Sequence, residues 1–179
     1  IRNINLIKDS YYGKYDFSPP VYGRDTIRTT INELVYLLKN SRKINPFDIS
    51  IKAQQGDDMS KISLTVNHEI TFKGRRKSFD IRLFAGTFTN NSNIDRDYRF
   101  RTSGQTGTQD YLYDNIYLGR TEYEGVLSQQ FTETDGAFKV HTPYGQTSEW
   151  IVALNLKSSL PAGKIPIRLF ADIGTCSEG

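Results

Sequence analysis

The sequence predicts an all-β chain: an antiparallel meander forming part of a transmembrane β-barrel, with a β-sandwich or jelly roll as the alternative. Three observations carry this. Apolar and polar residues alternate with period two over long runs. The runs approach ten residues, where ordinary strands have about five or six. The chain holds 11 Tyr and 10 Phe but one Trp, and its 14 Gly supply turns.

The elements follow in order. Thr29, Thr30, Ile31, Val35 and Tyr36 make Asn32 to Lys39 a strand rather than one or two helical turns. Phe47, Ile49, Ile51 and Ala53 then alternate with Asp48, Ser50, Lys52 and Gln54, and Gly56, Asp57 and Asp58 turn the chain. Between Ile62 and Phe72 the separation is clean: Ile62, Leu64, Val66, His68, Ile70 and Phe72 against Ser63, Thr65, Asn67, Glu69 and Thr71. At ~3.3 Å per residue such a run crosses a ~25 Å apolar band with tilt to spare. Lys73 to Lys77 is a short basic link, and Phe79, Ile81, Leu83 and Ala85 oppose Asp80, Arg82, Phe84 and Gly86. A late hairpin sets Trp150, Val152, Leu154 and Leu156 on one face. It turns at Pro161, Ala162 and Gly163 and returns through Ile165, Ile167, Leu169, Ala171 and Ile173. Pro166 stands at the start of its strand, where a missing donor is tolerated.

Residues 89–148 read differently, as a long polar and aromatic loop region within a single 1–179 β domain. Short strands are expected in it at Tyr98 to Ser103 and Glu124 to Phe131. Loops of this length are often functional. Its Tyr-rich core, with Asp110, Tyr111, Tyr113, Asp114, Asn115 and Tyr117, is the candidate interaction loop. Rings beside amides and carboxylates suit sugars or peptides; the alternative is that these tyrosines pack the loop onto the barrel lip.

Periodicity is common to barrels and sandwiches; position decides between them. Charges fall near strand middles, at Lys52, Glu69, Arg82 and Asp172, and aromatics near strand ends, at Phe47, Phe72, Phe79, Phe88 and Trp150, as an interfacial girdle requires. In that reading Leu64, Val66, Ile81, Leu83, Leu154 and Leu169 face lipid, and Thr65, Arg82, Asn155 and Arg168 face the lumen. Mean hydropathy is -0.53, and no run of about 18 apolar residues codes a transmembrane helix.

Several stretches carry a resemblance: NPFDISIKAQQGDDMSKISLTVNHEITF, FDIRLFAGTF, SGQTGTQDYLYDNIYLGR, GVLSQQFTETDGAFKV and EWIVALNLKSSLP followed by IPIRLFADIGT. Together, from Asn45 to Thr175, they resemble the C-terminal outer-membrane β-barrel found downstream of gluzincin-type zinc metallopeptidases in some Gram-negative bacteria. The resemblance implies an outer-membrane location, outer-membrane lipid and other outer-membrane proteins as partners, and a role as a non-catalytic anchor for a metallopeptidase-like protein. It brings no zinc residues to this chain. His68-Glu69 is followed by Ile70-Thr71-Phe72, so the second histidine of the peptidase's H-E-x-x-H is missing, and the dipeptide sits in a strand. The end at Cys176-Ser177-Glu178-Gly179 lacks an aromatic strand terminus, and a fragment of a longer protein is expected.

No catalytic constellation stands out. His68 and His141 are the only histidines, and Cys176 is the only cysteine, so neither a zinc site nor a disulfide framework is expected. Glu122 with Glu124, or Asp110 with Asp114, are acid pairs by count alone. Gly104 and Gly107 lack the helix start that phosphate binding needs. With a net charge of +3 and basic residues dispersed, nucleic acid is not expected as a partner, nor is a small-molecule cofactor. Two further readings stay open: a soluble sandwich that binds carbohydrate or protein, and a structural shell or appendage protein.

Overall fold

The structure is a computed structural model that describes residues 1–14, 21–72, 77–92, 96–120, 122, 124–140, 145–159 and 167–177. Its strands are β1 (Arg2–Lys14), β2 (Val21–Asn40), β3 (Phe47–Gln55), β4 (Ser60–Thr71), β5 (Ser78–Asn90), β6 (Phe100–Arg101), β7 (Gln146–Thr147), β8 (Trp150–Ser159) and β9 (Arg168–Cys176). Seven form one antiparallel sheet in the order β1-β2-β3-β4-β5-β8-β9; β6 and β7 pair separately. Chain order and spatial order coincide, so the sheet is a meander. It is open, with β1 and β9 at its two edges.

The register aligns the alternation of every strand. One rung runs Tyr36, Ile51, Leu64, Ala85, Val152 and Thr175; the next on the same face runs Leu38, Ile49, Val66, Leu83, Leu154 and Ile173. This face is uncovered. Leu34, Tyr36, Ile51, Ile62, Leu83, Val152, Leu169 and Ile173 are all exposed on it. The opposite face carries Lys52, Ser63 and Gly86 on one rung and Asp48, Asn67, Arg82, Asn155 and Asp172 on another. The segment between β5 and β8 folds back over that polar face.

β2 serves two partners in succession. It pairs with β1 through Val21 to Glu33 and with β3 through Asn32 to Asn40. The β1–β2 hairpin therefore projects past the rest of the sheet. Its ladder is polar where it leaves: Asn3 donates to Asn32 at 2.7 Å, and Thr30 donates to Asn5 at 3.0 Å. At the β2 margin the alternation weakens, since Val35 and Leu37 on the polar face are exposed too.

The covered face holds the core. Phe84, Phe100, Ile151 and Ala153 are buried together, with Phe88, Phe138 and Cys176 against them. Two aromatic rings of the covering segment sit on wall glycines. A Cβ on Gly86 would lie 2.7 Å from the Phe100 ring, and one on Gly174 would lie 2.9 Å from the Phe138 ring. Any larger residue would lift the segment off the sheet.

Three expectations need correction. Arg96–Tyr98 is a 3-10 turn, and only Phe100–Arg101 of the Tyr98 to Ser103 stretch is strand. Val126–Gln129 is also 3-10, so no strand spans Glu124 to Phe131; Gly125 enters it at φ 76°, a conformation that glycine adopts freely. Phe88 is no girdle residue. Phe88 alternates in step with Phe84 and Gly86 and pairs with Lys61 on the covered face, where it meets Phe100 at 4.9 Å. Pro161 to Gly163, Pro166, most of the Lys73 to Lys77 link and His141 lie outside the described residues.

Candidate functional site

The candidate site is the interface between the sheet's polar face and the 91–149 segment. Lys61 sits at its upper end. Its Nζ donates to the Tyr98 carbonyl at 2.9 Å. It lies 5.6, 5.1 and 5.0 Å from the ring centres of Phe88, Phe100 and Tyr111. Three aromatic faces and one carbonyl thus replace the water that a buried ammonium loses.

Beside it runs a polar chain along the wall. Arg2 donates to Glu33 at 2.7 Å, Gln54 donates to Glu33 at 2.6 Å, and the Tyr111 hydroxyl donates to Gln54 at 2.8 Å. Arg2 also grips Asp114 with both terminal nitrogens, at 2.6 and 2.5 Å. That bidentate contact holds the Asp114 carboxyl below its usual range. Burial pushes the Tyr111 phenol up.

The second anchorage is a tight turn at Asp135 to Ala137, with φ 48° at Asp135 and 53° at Ala137. Its backbone faces the wall. Arg82 donates to the Asp135 carbonyl at 2.7 Å, and Asn155 donates to the Gly136 carbonyl at 2.9 Å. Asn155 also donates to Asp172, which accepts the Lys139 backbone N–H at 2.8 Å. The Asp135 side chain accepts from Gln105, and burial pushes its carboxyl up. Lys139 pairs with Glu133 at 2.6 Å and holds that carboxyl down.

The six residues of the aromatic loop are brought together here. Asp110 is buried and organises the loop: its carboxylate accepts from Arg120 at 3.0 Å and from the backbone of Asp114 and Asn115 at 3.3 and 2.9 Å. Arg120 also donates to the Asn115 carbonyl and stacks near Tyr113 and Tyr117, at 4.6 and 5.0 Å. Tyr117 donates to the Gln105 carbonyl at 2.8 Å. Tyr111 meets Tyr98 edge to face at 4.9 Å. Tyr113 is the one ring of the three that stays open, at 72% exposure.

Sequence reasoning missed Arg2, Glu33, Lys61 and Asp135. The signal for Lys61 was its place on the polar side of a strand; its aromatic surroundings come from residues far along the chain. Asp135 had a signal in the Asp135-Gly136 pair, a turn former.

Two cavities lie in the interface. One of about 510 Å³ is lined by Lys39, Asp48, Asn67, Arg82, Glu133 and Asp172 among others. The second, of about 410 Å³, is lined by Ser50, Lys52, Thr65, Arg82, Glu133 and Asp135 among others. Among the described residues no three of His, Cys, Asp and Glu converge as a metal-ligating group. His68 lies on the uncovered face, in register with Phe47 and Ile81. No helix among the described residues is long and apolar enough to cross a membrane.

No family model, no curated protein and no solved structure matches the chain.

Proposed function

We propose that this chain is wall and lumen filling of a membrane-spanning β-barrel in a Gram-negative outer membrane, a non-catalytic anchor for a metallopeptidase-like protein. The observation that carries the reading is the inversion of the sheet's two faces. Leu, Ile and Val dominate the uncovered face, while the face the chain itself covers carries Lys, Arg, Asp, Asn and Ser beside one apolar patch of Phe84, Phe88, Ile151 and Ala153. In water that arrangement leaves six strands' worth of apolar rungs exposed, at roughly 25 cal/mol per Å². In lipid the same face is satisfied, and the polar one becomes the lumen.

Connection lengths support an orientation. The 91–149 segment and the projecting β1–β2 hairpin both leave from one end of the sheet, which also holds the short 56–59 turn, while the links at 41–46 and 72–77 at the other end are short. Short links suit the periplasmic side and long ones the outside. The anchor role rests on the resemblance over Asn45 to Thr175.

An open sheet cannot stay open in lipid, because edge N–H and C=O groups would lack partners. β1 and β9 run in the same direction, since seven strands alternate. Antiparallel closure therefore takes an odd number of further strands. The reading is tested by purifying the protein with and without detergent. Detergent dependence and flotation with lipid vesicles support it. A monomeric, cooperatively folding protein without detergent would replace it with the sandwich reading.

A further inference from the structure

We propose that the smaller cavity, between the middle of β3 and β4 and the covering segment, is a blind pocket for one uncharged, polyhydroxylated molecule of monosaccharide size. The pocket belongs to the covered face, so it stands or falls apart from what meets the uncovered one.

The cavity is closed at its Lys61 end. Phe88, Phe100 and Tyr111 ring the ammonium, and the Tyr98 carbonyl accepts from it at 2.9 Å. At the other end Asp48, Asn67, Arg82 and Glu133 line this cavity and the larger one alike, so a ligand enters from that side. The volume of about 410 Å³ has room for roughly 13 waters at ~30 Å³ each and lies within the ~300–1,000 Å³ range of ligand pockets. One hexose ring fits with a few waters left over.

Charge excludes an ionic ligand. Four of the lining charges are already neutralised: Lys52 by Glu33 at 3.6 Å, Asp110 by Arg120 at 3.0 Å, Asp114 by Arg2 at 2.5 Å and Glu133 by Lys139 at 2.6 Å. The lining charges without an ion pair among the described residues are balanced, Lys61 and Arg82 against Asp48 and Asp135. Each of these is held by a neutral group: the Tyr98 carbonyl, Asn155 with the Asp135 carbonyl, Asn67 and Gln105 respectively. An ion entering here loses its hydration and meets repulsion as well as attraction.

What the pocket leaves unmet is neutral. Its floor carries Ser50, Ser63 and Thr65, all half-buried, whose hydroxyls make no hydrogen bond among the described residues. Ser50 and Thr65 are cross-strand partners, which sets their Cβ atoms about 4.5–5.5 Å apart, and Ser63 follows on the same face of β4. Each hydroxyl both donates and accepts, as sugar hydroxyls do, so a row of them matches adjacent hydroxyls of a polyol. Phe84, Phe100 and Tyr111 line the side of the cavity and offer apolar surface to the C–H face of a sugar ring.

The test is calorimetric titration of the full chain in dodecyldimethylamine oxide, a detergent without a sugar headgroup. The probes are glucose, galactose, gluconate and glucosamine. Glucose or galactose should bind one per chain, and the two charged analogues at least about tenfold more weakly. Thr65→Val keeps the shape of the side chain and should weaken hexose binding about fivefold or more. Ser50→Ala should do the same, and it carries the test if Thr65→Val does not fold. Thr87→Val removes a hydroxyl from the uncovered face and should leave binding unchanged. Binding of neither hexose, binding that both hydroxyl variants leave intact, or tighter binding of gluconate or glucosamine overturns the pocket. Hexose binding by protein that folds without detergent upholds the pocket and removes the barrel reading. Protein that floats with lipid vesicles but binds no hexose does the reverse.

Discussion

The ring of Phe100 rests on Gly86, so closely that a Cβ at that glycine would stand 2.7 Å from it. Phe84 meets the same ring edge-on at 5.9 Å and Phe88 meets it at 4.9 Å. One aromatic from the covering segment is thus clasped between wall residues of β5, and burying it stabilises docking by about 1.5–3 kcal/mol.

Gly86→Val should therefore loosen the covering segment without dismantling the sheet. Overpacking of this kind costs roughly 1–3 kcal/mol. Hydrogen exchange should rise at Phe100 to Ser103 and at Ala137 to Lys139, and stay slow in β3 and β4. Uniform acceleration across all strands would contradict the separate docking of the segment.

Lys61 separates two effects, its charge and its packing. Lys61→Met keeps the stem among Phe88, Phe100 and Tyr111 and removes a charge that is costly to bury. It should change thermal stability by less than about 1 kcal/mol in either direction. Lys61→Glu places an anion against three ring faces and should cost at least about 3 kcal/mol. Equal losses for both would show that the cation itself holds the site together.

The strands were legible because period-two alternation is a local signal, and the uncovered face needed nothing else. Leu64, Val66, Leu83 and Leu154 fell on one face in sequence as they do in space. The covering segment was not legible. Its residues take their places from long-range partners: Tyr111 from Gln54, Asp114 from Arg2, Phe100 from Gly86. Phe88 was legible too, because it shares the parity of Phe84 and Gly86 and so falls on the covered face, where it meets Phe100; its place near a strand end suggested a girdle instead.

Acid should release the Arg2–Asp114 clasp. Arg2 holds the Asp114 carboxyl below its ordinary value, so the docked form binds fewer protons than the released one. Its contribution is complete above about pH 4, the usual Asp range, and is lost as pH falls through the lowered value. The pair is partly exposed, so the loss is about 1 kcal/mol or less. Amide exchange at Asn115 and Ile116 should accelerate on acidification, and Asp114→Asn should abolish that acid step.

Asp135 works with the opposite sign. Burial raises its carboxyl, so ionisation is harder in the docked form than in the released one. Docking is therefore strongest below the ordinary Asp range and weakens as pH rises through the raised value. Asp135→Asn keeps an acceptor for Gln105 and tolerates the left-handed backbone at φ 48°. It should strengthen docking at neutral pH and remove this component of the pH dependence. Weaker docking at neutral pH would show that the charge of Asp135 balances Lys61, Arg82 and Arg101.

Contact of the uncovered face with lipid is tested by adjacent residue pairs on β4, β5 and β8. Single spin labels at Thr65, Val66, Arg82, Leu83, Asn155 and Leu154 in lipid vesicles report collisions with oxygen, which concentrates in the bilayer, and with a water-soluble nickel chelate. Val66, Leu83 and Leu154 should report oxygen, while Thr65, Arg82 and Asn155 should not, so that the two neighbours of each pair differ. Labels at Val66, Leu83 and Leu154 that are shielded from both reagents would contradict it, because that face would then be the dry core of a protein rather than the outside of a barrel.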